Sequence, residues 1–78
     1  MSTPTPLATL RRRRLLTLRA LAALAGVTPV TVMRIEHDTV VPTFKTMAKI
    51  AAALGVEPDQ IAEFARVMEG GLLEAAAA

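Results

Sequence analysis

A chain of 78 residues is long enough for one small domain, and because it has no cysteine it lacks disulfide bonds and thiolate metal ligands. It contains two phenylalanines and no tryptophan or tyrosine, so its core must be aliphatic. Alanine- and leucine-rich sequence with short glycine and proline interruptions favours helices over strands. The composition therefore predicts an all-α domain and excludes a membrane span, which needs about 20 uninterrupted apolar residues.

Charge is distributed unevenly along the chain. Residues 1–34 contain six arginines and no acidic residue, whereas residues 57–78 contain one arginine and five acidic residues. This pattern favours a basic face that meets a polyanion, although solvated surface charge is the simpler alternative. The RRRR run before an apolar stretch also resembles a secretory signal peptide, but Arg19 interrupts that stretch. We therefore expect a cytoplasmic protein.

Five helices are predicted in chain order between a flexible arm (residues 1–6) and a C-terminal tail (residues 70–78). The predicted helices cover residues 7–14, 18–25, 29–37, 44–54 and 58–69. Threonines precede helices 2 to 4 as N-caps, and glycines follow helices 2 and 4: Thr17, Thr28, Thr43, Gly26 and Gly55. Residues 7–69 are thus predicted to form one domain.

Apolar residues at helical spacing predict which sides of helices 4 and 5 face the core. They are Phe44, Met47, Ile50, Ala51, Leu54, Ile61, Phe64, Ala65 and Met68. Met68, Leu72 and Leu73 extend the stripe of helix 5 beyond what a small monomer needs, which favours an interface there. A disordered tail is the alternative.

Helices 2 and 3 have the residues that a steep crossing over a short turn requires. Ala22 is small where the second helix would cross the first, and Gly26 tolerates the positive φ of the turn. Apolar residues point inward from both helices: Leu21, Ala25, Val27, Val32 and Ile35. The segment is therefore predicted to be a helix-turn-helix, whose second helix enters the major groove of DNA.

Over residues 7–61 the sequence resembles the phage repressor and Cro-type (Xre-like) family of DNA-binding domains. The resemblance lies in LATLRRRRLLT, LAALAGVTPVTVMRIE, VPTFKTMAKIAAALGV and PDQI. It implies a compact five-helix bundle of the lambda-repressor-like type that binds double-stranded operator DNA as a homodimer. The two protomers would meet through helix 5 and the C-terminal tail.

The resemblance also implies roles for individual residues. Pro29, Val30 and Arg34 match positions that contact base edges. Thr28, Thr31, His37, Thr43 and Thr46 match positions that contact the DNA backbone. Arg11 and Glu36 match a partly buried ion pair between helices 1 and 3.

Side-chain chemistry leaves alternatives for some of these roles. Arg34 can donate two hydrogen bonds to guanine or can bind a phosphate, and Val30 can pack on a thymine methyl or at a protein interface. Met33 is expected at the rim of the contact. His37 is the only histidine, so neither a metal site nor catalysis is expected there.

Several positions depart from the family's pattern. Leu18 replaces a glutamine that contacts phosphate, Leu15 replaces a glycine or asparagine, and Asp38 replaces a glycine. The loop at residues 39–41 lacks the usual lysine or arginine. These departures imply weaker or partner-assisted DNA binding.

The sequence therefore favours a sequence-specific transcriptional regulator, and a repressor in particular, that needs neither metal nor cofactor. It has no paired carboxylates, nucleophile–base pair or metal cluster that would indicate an enzyme. One alternative is the antitoxin of a toxin–antitoxin pair, which would bind a toxin or another regulatory protein through helix 5 and the tail. Another is a protein-interaction module that has lost DNA binding.

Overall fold

A computed structural model describes residues 3–69, in which five α-helices and one 3-10 turn follow one another without a named strand. The elements are α1 (Leu7–Arg13), α2 (Leu18–Ala25), α3 (Pro29–Glu36), α4 (Phe44–Leu54), the 3-10 turn (Pro58–Gln60) and α5 (Ala62–Glu69). The prediction of an all-α, five-helix domain is confirmed. The predicted tail and the first two residues of the predicted arm lie outside the described residues.

Threonine caps begin the three central helices. The hydroxyl oxygens of Thr17, Thr28 and Thr43 accept hydrogen bonds from the backbone N–H three residues later, at 3.0, 3.2 and 3.3 Å. Each bond satisfies one of the donors that the first turn of a helix leaves unpaired. The boundaries of α2 and α4 consequently coincide with those that the sequence predicts.

Each of the first four helices is followed, within two residues, by a residue in the left-handed conformation. These residues are Leu15, Gly26, Asp38 and Gly55, with φ of 56°, 71°, 57° and 70°. At each end, the following N–H donates to the carbonyl five residues earlier, as from Leu16 to Arg11 at 3.1 Å. Only two of the four ends have glycine, so Leu15 and Asp38 adopt a conformation that costs an L-residue about 1–2 kcal/mol.

The core lies where α2 packs on α3 and α4, and α1 packs on α3. Its largest fully buried side chains are Phe64, Leu7, Leu21, Ile35, Ile50, Leu54, Ile61 and Val32. Burying each such side chain contributes about 1.5–3 kcal/mol, which offsets the conformational entropy lost on folding. Within the described residues, no single helix is both long enough and apolar enough to cross a membrane.

The start of helix 5 differs from the prediction. Pro58 begins a separate 3-10 turn, and the α-helix begins only at Ala62. Between them Ile61 is extended and forms a parallel bridge with Thr5. The Thr5 N–H donates to the Gln60 carbonyl at 2.9 Å, and the Ala62 N–H donates to the Thr5 carbonyl at 2.8 Å. This pairing joins the two ends of the domain and fixes Thr5, which lies in the predicted arm.

Two side chains that the helical pattern assigns to the core are exposed instead. Phe44 is 44% exposed at the first residue of α4, and Met68 is 41% exposed in the last turn of α5. The apolar stripes overrun the core at these two helix ends. Conversely, Val67 and Glu63 are buried, although the pattern did not assign them to the core.

Candidate nucleic-acid interface

The turn between α2 and α3 sets the direction of the third helix. The two helices are bent by 112° relative to one another, within the range of DNA-binding helix-turn-helix motifs. Gly26 provides the left-handed residue of the turn, and Ala22 is only 1% exposed. Val32 and Ile35 are buried against the rest of the domain, so the opposite side of α3 faces solvent.

That solvent-facing side brings together four predicted contact residues. Pro29, Val30, Arg34 and His37 are exposed, and Val30 in particular is 49% exposed. Positions 30, 34 and 37 lie at helical spacing on one face. Met33 also lies there, 39% exposed, and its carbonyl oxygen is 2.9 Å from Nδ1 of His37. This contact orients the imidazole at the end of the helix.

Two threonine pairs stand at the N-termini of α3 and α4. The hydroxyl oxygens of Thr28 and Thr31 are 2.8 Å apart, and the Thr43 hydroxyl donates to the Thr46 hydroxyl at 3.1 Å. Since Thr43 donates its hydroxyl hydrogen to Thr46, the Thr46 hydroxyl keeps its own hydrogen for another acceptor. Unpaired N–H groups and the helix dipole make such N-termini favourable places for anions.

Arg11 and Glu36 form the ion pair that fixes α3 against α1. The Arg11 Nε lies 2.7 Å from Glu36 Oε2, and Nη2 donates to Oε1 at 3.2 Å. The Arg11 Nη1 also donates to the Leu16 carbonyl at 2.9 Å, which ties in the α1–α2 loop. The hydrogen bond to Glu36 raises the pKa of Arg11, while desolvation opposes the increase. With side chains only 12% and 7% exposed, removing either partner would leave a costly unpaired charge.

The run of four arginines does not form a single basic patch. Arg11 is paired with Glu36, and Arg13 lines a surface pocket together with Asp59. The guanidinium of Arg14 lies over the C-terminus of α4, where a Cβ added to Gly55 would be 3.2 Å from Nη2. The side chains of Arg11 and Arg14 therefore lie against other parts of the domain. This agrees with the helical geometry of the run, in which adjacent residues point in different directions.

The departures from the family's pattern have structural consequences. Leu18 is partly buried and packs against the core, so it does not extend outward as a phosphate-binding glutamine would. Asp38, despite its left-handed backbone, forms an exposed ion pair with Arg66 of α5 at 2.9 Å. Val40 and Val41 are 40% and 57% exposed in the loop before α4.

Glu63 is a structural residue that sequence reasoning missed. Its carboxylate accepts a hydrogen bond from the buried Leu7 N–H at 2.9 Å, and the side chain stands in the first turn of α5. It therefore places a negative charge where the first N–H groups of two helices are near. The sequence predicted a helix over residues 58–69, in which Glu63 lies in the second turn, so nothing there indicated a contact with another helix.

Comparison with known proteins agrees with this geometry. A family model described as helix-turn-helix matches residues 7–61, from the start of α1 to the residue before α5. No curated protein and no solved structure matches the chain significantly.

Proposed function

Since the chain belongs to the phage repressor and Cro-type (Xre-like) helix-turn-helix family, a family of DNA-binding regulators, we propose that it is a sequence-specific transcriptional repressor. It acts in the cytoplasm as a homodimer on a palindromic operator. The observation that supports this most is the arrangement of α3 and α4. α3 presents an exposed face and is held at 112° to α2, and α4 begins at a threonine cap, so that each would supply a different kind of DNA contact.

In the proposed complex, α3 lies in the major groove and reads bases. Arg34 donates to O6 and N7 of guanine, the commonest specific pairing, while Pro29 and Val30 contact neighbouring base edges. This assignment agrees with the exposure of all three side chains. No described residue forms an ion pair with Arg34, so the guanidinium is available to a ligand.

The DNA backbone is bound at the helix ends. Thr28 and Thr31 offer hydroxyls at the start of α3, Thr43 and Thr46 do so at the start of α4, and His37 lies at the end of α3. Phosphate contacts of this type set the register of a protein on the duplex without carrying sequence information. Leu18 adds no such contact, which makes the α4 threonines more important here.

The homodimer is proposed to form across an apolar groove beside α5. The groove has a volume of about 220 Å³ and is lined by Phe44, Met47, Ala48, Pro58 and Met68. Exposed Phe44 and Met68 would be buried by a second copy of the chain, which removes apolar surface from water. Leu72 and Leu73, predicted to contribute, lie outside the described residues.

Selection of bound duplexes from a random DNA pool tests this function. We expect enrichment of inverted repeats whose half-site centres are about 34 Å, or one helical turn, apart. Arg34→Ala should lower affinity for the selected operator by about 1–3 kcal/mol and relax the preference at one base pair in each half-site. Failure to enrich any sequence with the wild-type protein would overturn the proposal. A toxin-like protein required for enrichment would favour the antitoxin alternative.

A further inference from the structure

The reading face of α3 is short of groups that hydrogen-bond to bases. Val30 and Met33 are 49% and 39% exposed on this face. Glu36, the only carboxylate of α3, is 7% exposed and bound to Arg11. The helix therefore presents no free carboxylate and no amide to a groove.

This shortage limits which base features the face can recognise. Cytosine is read by a carboxylate that accepts from its N4 amino group, and adenine by an asparagine or glutamine that binds N6 and N7. The face has neither. It has an arginine, which suits guanine, and apolar side chains, which suit a methyl group at C5 of a pyrimidine.

Building on the proposed function, we propose that Val30 and Met33 read pyrimidine C5 methyl groups beside the guanine that Arg34 binds. The face then treats thymine and 5-methylcytosine alike at those positions and binds unmethylated cytosine more weakly. Thymine and 5-methylcytosine both present a C5 methyl group, and therefore the same apolar surface, in the major groove. The groups that distinguish them, O4 and the N4 amino group, meet no matching partner on Val30 or Met33.

The positions of the side chains agree with this assignment. Met33 is adjacent to Arg34 in sequence, and Val30 precedes it by four residues on the same face. Residues three or four apart on a helix have Cβ atoms about 5–6 Å apart, less than two base-pair steps of about 3.4 Å each. Val30 and Met33 are thus placed to reach the base pairs that neighbour the guanine. Methylation of an operator cytosine would consequently strengthen binding.

The test uses the operator obtained by selection and changes one methyl group at a time. Each pyrimidine next to the specified guanine is prepared as thymine or uracil opposite adenine, and as cytosine or 5-methylcytosine opposite guanine. We expect removal of the thymine methyl to weaken binding about fourfold, equivalent to about 0.8 kcal/mol for one buried methyl-sized group. Methylation of cytosine should strengthen binding by a similar factor at the same position.

Protein variants assign the effect to the two side chains. Val30→Ala and Met33→Ala should each reduce the dependence of binding on the methyl group at one position. Val40→Ala, which alters a valine that is 40% exposed but lies outside α3, should leave both dependences unchanged. If no operator is enriched, the proposed function itself fails. If the operator is bound specifically but uracil equals thymine at every position, methyl reading is wrong. If the thymine methyl matters and that of 5-methylcytosine does not, the equivalence of the two bases is wrong.

Discussion

Leu15 shows how a single residue can be kept in an unfavourable conformation. Its φ is 56° and its side chain is 93% exposed, so no packing repays the left-handed backbone. The conformation is nevertheless required, because it allows the Leu16 N–H to bond the Arg11 carbonyl at 3.1 Å and close the end of α1. The strain thus serves the α1–α2 loop, in which the Leu16 carbonyl accepts a hydrogen bond from Arg11.

Leu15→Asn should stabilise the domain. Asparagine tolerates the left-handed region better than leucine, so we expect the free energy of unfolding to rise by about 1 kcal/mol in urea denaturation. Glycine should give a smaller gain because it adds freedom to the unfolded chain. Leu24→Asn is the matched control, since Leu24 is 63% exposed within α2 and asparagine there should destabilise slightly. Equal effects at both sites would contradict the strain at Leu15.

At the scale of elements, the N-terminus of α1 depends on a side chain from α5. The first residue of α1 is buried, and its N–H donates to Glu63, which is 7% exposed. Pro6, at the N-cap position of α1, makes no side-chain capping bond. Glu63 therefore replaces the local threonine cap that α2, α3 and α4 have.

Removing this contact should destabilise the domain. Glu63→Ala leaves the Leu7 N–H buried without a partner, and we expect a loss of about 1–3 kcal/mol in the free energy of unfolding. Glu63→Gln keeps an acceptor and should lose less. Glu69→Ala, an exposed glutamate of the same helix, should change stability by less than about 0.5 kcal/mol. A loss for Glu63→Ala no larger than for Glu69→Ala would show that the cap contributes nothing.

Local sequence signals predicted the elements that local bonds define. Thr17 and Gly26 bound α2, and Thr43 and Gly55 bound α4, because each acts within a few residues of itself. The start of α5 was not predictable in this way, since the extended Ile61 pairs with Thr5 at the other end of the domain. Such long-range contacts leave no periodic trace in the sequence.

In the candidate site, too, features set by local sequence were predictable and features set by tertiary packing were not. Turn chemistry and apolar spacing were enough to place the outward face of α3, and the resemblance supplied the threonines of α4. The position of Arg14 over the end of α4, and the withdrawal of Leu18 onto the core, depend on tertiary packing. The sequence identifies these residues but does not give the direction in which their side chains point.

At the scale of the whole molecule, the apolar groove beside α5 predicts the behaviour of a dimer mutant. Met68→Glu places a charge in the groove, and we expect sedimentation analysis to show a shift towards monomer. Affinity for the full palindrome should fall, while binding of a single half-site should be retained. Leu24→Glu, a charge on exposed apolar surface outside the groove, should leave the dimer intact. Dissociation by Leu24→Glu alone would place the interface elsewhere.

The distribution of charge over the molecule predicts which cations make operator binding depend on salt concentration. Lys45 lies in the first turn of α4 beside the threonines proposed to bind phosphate, whereas Arg14 lies at the other end of that helix. An 11-residue helix is about 16 Å long, so the two cations are separated by more than a Debye length at physiological salt.

We therefore expect Lys45→Ala to reduce the slope of log affinity against log salt concentration by about 0.9 for each protomer, as one fewer phosphate is neutralised. Arg14→Ala removes the same charge and should leave the slope unchanged. Titration of the operator at several salt concentrations measures both variants. A reduced slope for Arg14→Ala and an unchanged slope for Lys45→Ala would place the DNA at the opposite end of α4.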